Sequence, residues 1–278
     1  MTTFLPFQIR HFSGFDLPYP SGLETLKEGK FDVLDVAITG DAPKQFIRVY
    51  EHGHGRRGKR KSWPKFIAKG GQKAYPNESI TEHFITRLGQ ALKIEIADSK
   101  LYWGKGQIRF LSRYFLKSGF LLIHGAEIFG GYFSDKTLVA SIEENNLSRK
   151  YFTFQIVEAS LAKLYPLYAQ KILESFVKLL AFDAIVGNND RHYLNWGVIA
   201  PVSGKGPIGL APIYDTARGL LWNKSEKSLE DLEKSGNLGA SLDAYITRSK
   251  PKTGWGGESD LNHFELITRI IRDGENTF

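Results

Sequence analysis

The sequence predicts an α+β chain, sheet-rich in front and helical behind. Three observations predict it. Two runs rich in β-branched and aromatic residues, FDVLDVAITG (31–40) and KQFIRVYE (44–51), flank a turn at Gly40-Asp41-Ala42-Pro43 and read as a hairpin. After Asn77, the apolar residues Ile80, Phe84, Ile85 and Leu88 recur at helical spacing. From Tyr168 to Val186, apolar residues including Ile172, Leu173, Phe176, Val177 and Leu180 surround most of a helical cylinder, which predicts a buried helix.

The remaining elements follow in chain order. HGHGRRGKRK (52–61) combines three glycines with five cations and reads as a loop. KFIAK (65–69) is a third strand, stopped by Gly70 and Gly71. Asn77 suits a helix N-cap, and Glu78 places an acid at the positive end of the helix dipole. Further short strands are expected over 95–97 and 107–112. Residues 222–257, rich in Lys, Ser, Gly and Glu, read as a second loop, and a last helix covers 263–271. The strand-rich part, 1–115, is expected as one domain and the helical part, 116–278, as another.

Composition narrows the function classes. With 278 residues and 42% hydrophobic content, the chain has the make-up of a globular protein, which excludes a disordered or collagen-like one. It has no cysteine, so disulfides, iron–sulfur clusters, thiolate zinc sites and cysteine nucleophiles are excluded. The opening MTTFLPFQIRHF lacks the basic-then-apolar pattern of a secretory leader. SFVKLLAFDAIVG, broken by Lys178 and Asp183, is too short and polar to span a bilayer. No membrane partner is expected, and a cytoplasmic location is, with export into a host cell the alternative. Thirty-seven Lys+Arg against 30 Asp+Glu give +7, a mild bias towards polyanions. Without a recognisable helix-turn-helix, direct nucleic-acid binding is not expected.

The chemistry concentrates in GNNDRHYLNWG (187–197). An apolar helix runs into Asn189, Asp190, Arg191, His192 and Asn195, a cluster too costly to bury for packing alone. Twenty residues beyond Asn195 comes Tyr214-Asp215 after another apolar stretch. Phosphoryl transfer needs a carboxylate to orient and deprotonate the attacking hydroxyl, and hard oxygen ligands for magnesium. It also needs a lysine paired with a glutamate at the phosphates, and a glycine turn over them. The chain supplies each in a workable order: Gly40 in a turn, Lys69 at a strand end (with Lys65 and Lys73 as competitors), Glu78 or Glu82 in the next helix, then Asp190, Asn195 and Asp215.

These motifs resemble those of the HipA-like serine/threonine kinases, toxin kinases of bacterial toxin–antitoxin modules. The loop Asn189 to Asn195 carries the likeness most strongly. Tyr214-Asp215, Asn77-Glu78 and the phosphate loop Gly40 to Lys44 add to it. The resemblance implies a two-lobed kinase-like fold that uses ATP and Mg²⁺. It makes Asp190 the catalytic base and Asn195 and Asp215 the metal ligands. Lys69 would contact phosphates and pair with Glu78. Thr39, Gly40, Asp41, Ala42, Pro43 and Lys44 would cover the nucleotide, and His192 and Tyr214 would line its pocket. Ser112, Arg113 and Tyr114 would form the hinge that reads adenine through its backbone. The phosphate loop comes only about 40 residues in, so the chain resembles the short, core-kinase-only branch. In such systems a separate small protein can replace the missing N-terminal subdomain. Thr39 is the nearest acceptor for autophosphorylation. The implied substrate is a protein, with an aminoacyl-tRNA synthetase as the example, and an antitoxin is the implied partner. A phosphoinositide-type lipid kinase is the alternative enzyme, though it would carry Asp-Phe-Gly where this chain reads Tyr214-Asp215-Thr216. An ATP-binding pseudokinase acting as a partner-binding module is the alternative from another class.

Overall fold

A computed structural model describes residues 22–36, 44–70, 77–104 and 107–273. The phosphate-loop candidates Thr39, Gly40, Asp41, Ala42 and Pro43 lie outside the described residues. The chain divides into two compact units, Met1–Phe115 with Leu221–Asn237, and Leu116–Leu220 with Leu238–Phe278.

The first unit is built on a six-stranded sheet. Its strands are β1 (Glu24–Thr25), β2 (Phe31–Val33), β3 (Lys44–Val49), β4 (Lys65–Gly70), β5 (Ser99–Gly104) and β6 (Gln107–Arg113), in the order β1-β5-β6-β4-β3-β2. Strands β2 and β3 pair antiparallel as the sequence predicts, with Phe31 opposite Val49. One face is closed by Leu26, Phe31, Ile47, Val49, Phe66, Ala68, Tyr102 and Leu111. The strand expected at 95–97 is instead β5: α1 (Glu78–Ala91) runs on to Leu92, and Lys93 turns the chain with a left-handed φ of 58°.

Helix α1 forms where expected, and its buried face is largely polar. Ser79, Glu82, Ile85, Thr86 and Gly89 turn inward, while Ile80 and Phe84 stay 43% and 57% exposed. A polar helix face is thus brought to the sheet, and it carries Glu82. Asn77 occupies the N-cap position without a side-chain cap bond; its Nδ2 donates instead to the Lys224 carbonyl at 2.9 Å. That bond ties 221–237 to the rest of the first unit.

The second unit holds β7 (Phe120–His124), β8 (Gly197–Pro201) and β9 (Gly209–Leu210) in one antiparallel sheet. Its helices before Leu220 are α2 (Gly125–Phe133), α3 (Lys136–Glu144), α4 (Ser148–Tyr151), α5 (Phe154–Leu164) and α6 (Ala169–Val186). Helix α6 is buried along Ile172, Leu173, Phe176, Leu179, Leu180 and Phe182, as its apolar cylinder predicts. It stops at Gly187, whose φ of 63° suits glycine, and so launches the polar loop at a fixed point. No helix among the described residues is long and apolar enough to cross a membrane.

The loop expected at 222–257 contains two helices, α7 (Glu226–Lys234) and α8 (Leu238–Arg248). The polar composition that suggested a loop is that of an exposed helix. Ser225 caps α7 by accepting from the Ser228 N–H, and Lys234 pairs with Glu230 at 3.0 Å along its surface. The last helix, α9 (His263–Asp273), runs two residues beyond its predicted end.

Candidate active site

In the first unit, Lys69 lies near the end of β4, 8% exposed. Its Nζ donates to Glu82 Oε1 at 2.7 Å and lies 5.5 Å from the Phe110 ring. The glutamate meeting Lys69 is therefore Glu82, one turn beyond the Glu78 that Asn77 seemed to mark. The helix phase decides this, because Glu82 shares the inward face with Ser79 and Thr86. Glu82 is 3% exposed, so the pair is screened little by water. Lys44 is the direct cross-strand partner of Lys69, which puts both side chains on one sheet face.

At the expected hinge, two backbone N–H groups are already engaged. The N–H of Arg113 donates to the Asp98 carbonyl at 2.7 Å, and that of Tyr114 to the Lys65 carbonyl at 2.9 Å. An N–H already used by the sheet is not available to adenine. The Arg113 guanidinium turns to buried Glu51 at 3.2 Å, and Ser112 pairs with Ile67 and Ser99 inside the sheet.

In the second unit, the loop after α6 is organised around Arg191. This guanidinium is 1% exposed, and the Asp183 carboxylate is fully buried. Arg191 grips Asp183 in a fork, Nε to Oδ2 at 2.8 Å and Nη2 to Oδ1 at 3.0 Å. Its Nη1 donates to the carbonyls of Asn195 and Tyr214, both at 2.6 Å. Burial works against the cation, and Asp183, with smaller help from Tyr214 and Asp215, more than offsets it, so the pKa of Arg191 lies above its ordinary value. One side chain thus joins helix, first loop and second loop. Asn188 completes the joint by donating to Asp183 Oδ1 at 2.9 Å.

The groups that this frame presents are Asp190, Asn195 and Asp215. Asp190 fixes its backbone and leaves its carboxylate outward. Its carbonyl accepts from Asn195 Nδ2 at 2.9 Å and from the His192 N–H at 2.8 Å, while its side chain is 37% exposed. Arg218 Nε stands 4.0 Å from Asp190 Oδ2. Because the Asn195 amide nitrogen is committed inward, its oxygen is the end left for a ligand. Asp215 has a φ of 56°, a left-handed conformation uncommon outside glycine. An amide oxygen and a carboxylate are hard donors that suit magnesium, which takes few protein ligands. Among the described residues no group of three or more His, Cys, Asp or Glu forms a richer metal site.

His192 and Tyr214 are held by their neighbours. Burial lowers the pKa of His192, against the pull of Asp190, Glu143 and Asp215, and favours the neutral ring. Its Nδ1 accepts from the Leu194 N–H at 3.2 Å. The Tyr214 hydroxyl donates to the Leu194 carbonyl at 3.2 Å and meets His124 Nδ1 at 3.0 Å. Burial pushes the Tyr214 phenol well above its usual range.

Sequence reasoning missed the supports. Tyr245 and Ser249 donate to the Gly187 carbonyl at 2.7 and 3.0 Å and so hold the end of α6. A Cβ at Gly187 would sit 2.5 Å from the Tyr245 ring. Gly187→Ala is therefore expected to lower stability by at least about 1–2 kcal/mol through the left-handed backbone alone. Thermal denaturation checks this, and an unchanged midpoint would remove Gly187 as the anchor of the loop.

Comparison with known proteins then adds four findings. The family model described as HipA-like C-terminal domain matches residues 36–254. A crystal structure of the Helicobacter pylori proinflammatory kinase CtkA is similar, with a TM-score of 0.67 and 14% identity over 90% of this chain and 78% of that one. The HipA of Shewanella oneidensis MR-1, solved with HipB and operator DNA, is matched over 91% of this chain and 60% of that one, with 16% identity and a TM-score of 0.41. No curated protein sequence matches the chain. The CtkA match shows that the α+β architecture is a kinase-like fold.

Proposed function

Because this chain belongs to the HipA-like C-terminal domain family, we propose that it is a serine/threonine protein kinase that uses ATP and Mg²⁺. The observation that carries the proposal is the pair of hydrogen bonds that Arg191 Nη1 donates to the Asn195 and Tyr214 carbonyls. It ties the Asp190–Asn195 loop and the Tyr214–Asp215 loop into one rigid array. A structural arginine alone would not account for a carboxylate, an amide oxygen and a second carboxylate presented by the two loops it joins.

In this reading Asp190 accepts the proton of the substrate hydroxyl as its oxygen attacks the γ-phosphorus. Asn195 and Asp215 would hold magnesium, which when bound neutralises phosphate charge. Lys69, kept extended by Glu82, would contact the phosphates, with Lys44 on the same sheet face. Thr39 to Pro43 would cover the nucleotide, and His192 and Tyr214 would keep the loop closed. Of the hinge, only carbonyl oxygens and the Ser112 surroundings remain for adenine at 112–114. Family membership further supports a protein substrate such as an aminoacyl-tRNA synthetase, growth arrest as the outcome, an antitoxin partner and action in the cytoplasm.

The test is transfer of labelled γ-phosphate from ATP to protein in a cell extract, with and without Mg²⁺. The native chain is expected to label a protein on serine or threonine. Lys69→Met is expected to lose most of this, and Glu82→Gln to raise the KM for ATP more than it lowers kcat. Absence of labelled protein with the native chain would overturn the proposal. Equal loss from Glu78→Gln and none from Glu82→Gln would overturn the assignment of the pair.

A further inference from the structure

The basic run 52–61 is a built platform. Residues 52 to 62 are all exposed, and the next residue, Trp63, is 3% exposed. The turn between them is pinned from inside. Trp63 Nε1 donates to the Arg56 carbonyl at 2.9 Å, and the Arg56 N–H donates to Ser62 Oγ at 3.0 Å. Ser62 Oγ in turn donates to the Lys59 carbonyl at 2.7 Å. Backbone bonds from Lys59 to Arg56, Ser62 to Lys59 and Trp63 to Arg60 complete a 3-10 turn over Arg60–Ser62. Gly55 is required there, since its φ is 96° and a Cβ would lie 2.6 Å from the Ser62 carbonyl oxygen.

This arrangement holds Arg56, Arg57, Lys59, Arg60 and Lys61 together against their mutual repulsion. Arg60 reaches Asp32 at 3.7 Å and lies 5.9 Å from the Trp63 ring. Among the described residues, no carboxylate comes within 4.0 Å of Arg56, Arg57, Lys59 or Lys61, and Glu51, the nearest acid in sequence, is buried and paired with Lys100 and Arg113. A mobile loop would spread these charges through solvent; a turn stapled by a buried indole keeps the residues that carry them close together and exposed.

The composition of the surface selects its partner. From His52 to Ser62 no side chain is apolar. A protein partner needs a desolvated apolar centre for tight binding, whereas a phosphodiester chain needs closely spaced cations and little else. Arginine forks, three of the five cations, match phosphate oxygens in pairs, and glycines 53, 55 and 58 let the backbone approach a strand closely. The mild net charge hides this, because it averages over the whole chain. We infer that the pinned 52–62 turn is a docking site for the phosphate backbone of a nucleic-acid strand, for which a short RNA is the probe. This inference is independent of the proposed kinase activity.

Fluorescence anisotropy with a labelled 20-nucleotide RNA tests it, against a labelled polyglutamate of equal length. The native chain is expected to bind the RNA with log K falling against log salt at a slope of about −3.5 if all five cations meet phosphates. Replacing Arg56, Arg57, Lys59, Arg60 and Lys61 together by Gln is expected to cost at least tenfold in affinity at low salt and to flatten that slope. If this variant folds poorly, Arg57→Gln with Lys59→Gln removes two unpaired cations alone and is expected to lower the slope by about 1.4. Equal RNA binding by native and variant chains would overturn the inference, as would no RNA binding by the native chain. Tighter binding of polyglutamate than of RNA would overturn it in favour of an acidic protein partner.

Discussion

Asp183→Asn is expected to destabilise the protein by about 3–5 kcal/mol, the cost of leaving a buried charge without its counter-ion. Asn fills nearly the same volume, so no cavity contributes. What changes is charge: Arg191 would keep its guanidinium at 1% exposure with no carboxylate among its hydrogen-bond partners, and Asp215, a weaker influence, would be left as its nearby negative charge. Asn188 would face an amide in place of a carboxylate oxygen. The helix end is rigid, with Leu220 N–H bonded to the Val186 carbonyl and Tyr245 and Ser249 holding Gly187, so water has no easy way in. Urea denaturation measures the loss. A change below about 1 kcal/mol would mean that the pair is solvated and that something else joins the two loops. A companion Arg191→Met in the same chain should recover part of the stability, because it removes the stranded charge, while leaving the Asn195 and Tyr214 carbonyls without their donor.

Asp183 also shows how much could be read beforehand. It stood out in the sequence only as an interruption of an apolar run. Its meaning was there in principle: a lone carboxylate on a helix apolar all round must be paired. The partner, Arg191, lies eight residues on, within the cluster already singled out. The loop itself, Asp190 to Asn195, was legible because dense polarity after a buried helix has few bland explanations. The strands carrying Lys44 and Lys69 were legible from β-branched content. The choice between Glu78 and Glu82 was not, because it depends on helix phase, and the inward face of α1 is polar. Ile80 and Phe84 set the apparent apolar face and stay exposed. Helices α7 and α8 were hidden for another reason: neither contributes a fully buried residue, and the Lys, Ser, Gly and Glu around their few apolar positions read as loop. Tyr245 and Ser249 act on Gly187 from about 60 positions away, a distance at which spacing carries no information.

Asp190→Asn is expected to lower phosphoryl transfer by about 10²–10⁴-fold while leaving the protein folded. The contrast with Asp183→Asn follows from where each carboxylate stands. Asp190 contributes to the loop through its backbone, with its N–H donating to Asn188 Oδ1 at 3.3 Å and its carbonyl accepting from His192 and Asn195. None of these bonds uses the carboxylate, which is over a third exposed and meets Arg218 only at 4.0 Å. The substitution therefore removes the proton acceptor and keeps the frame. Single-turnover transfer measures the rate, and the thermal midpoint and nucleotide affinity measure the frame. Retention of the rate to within about tenfold would remove Asp190 as the base. A fall in midpoint comparable to that of Asp183→Asn would make it a structural residue. Arg218→Ala sharpens the distinction, because Arg218 is not a member of the Asp183–Arg191 fork that joins the two loops. A guanidinium that positions the Asp190 carboxylate should, when lost, lower the transfer rate with nucleotide affinity unchanged, and added guanidine should restore part of the rate; loss of a purely structural arginine would lower the thermal midpoint and would not be rescued by guanidine.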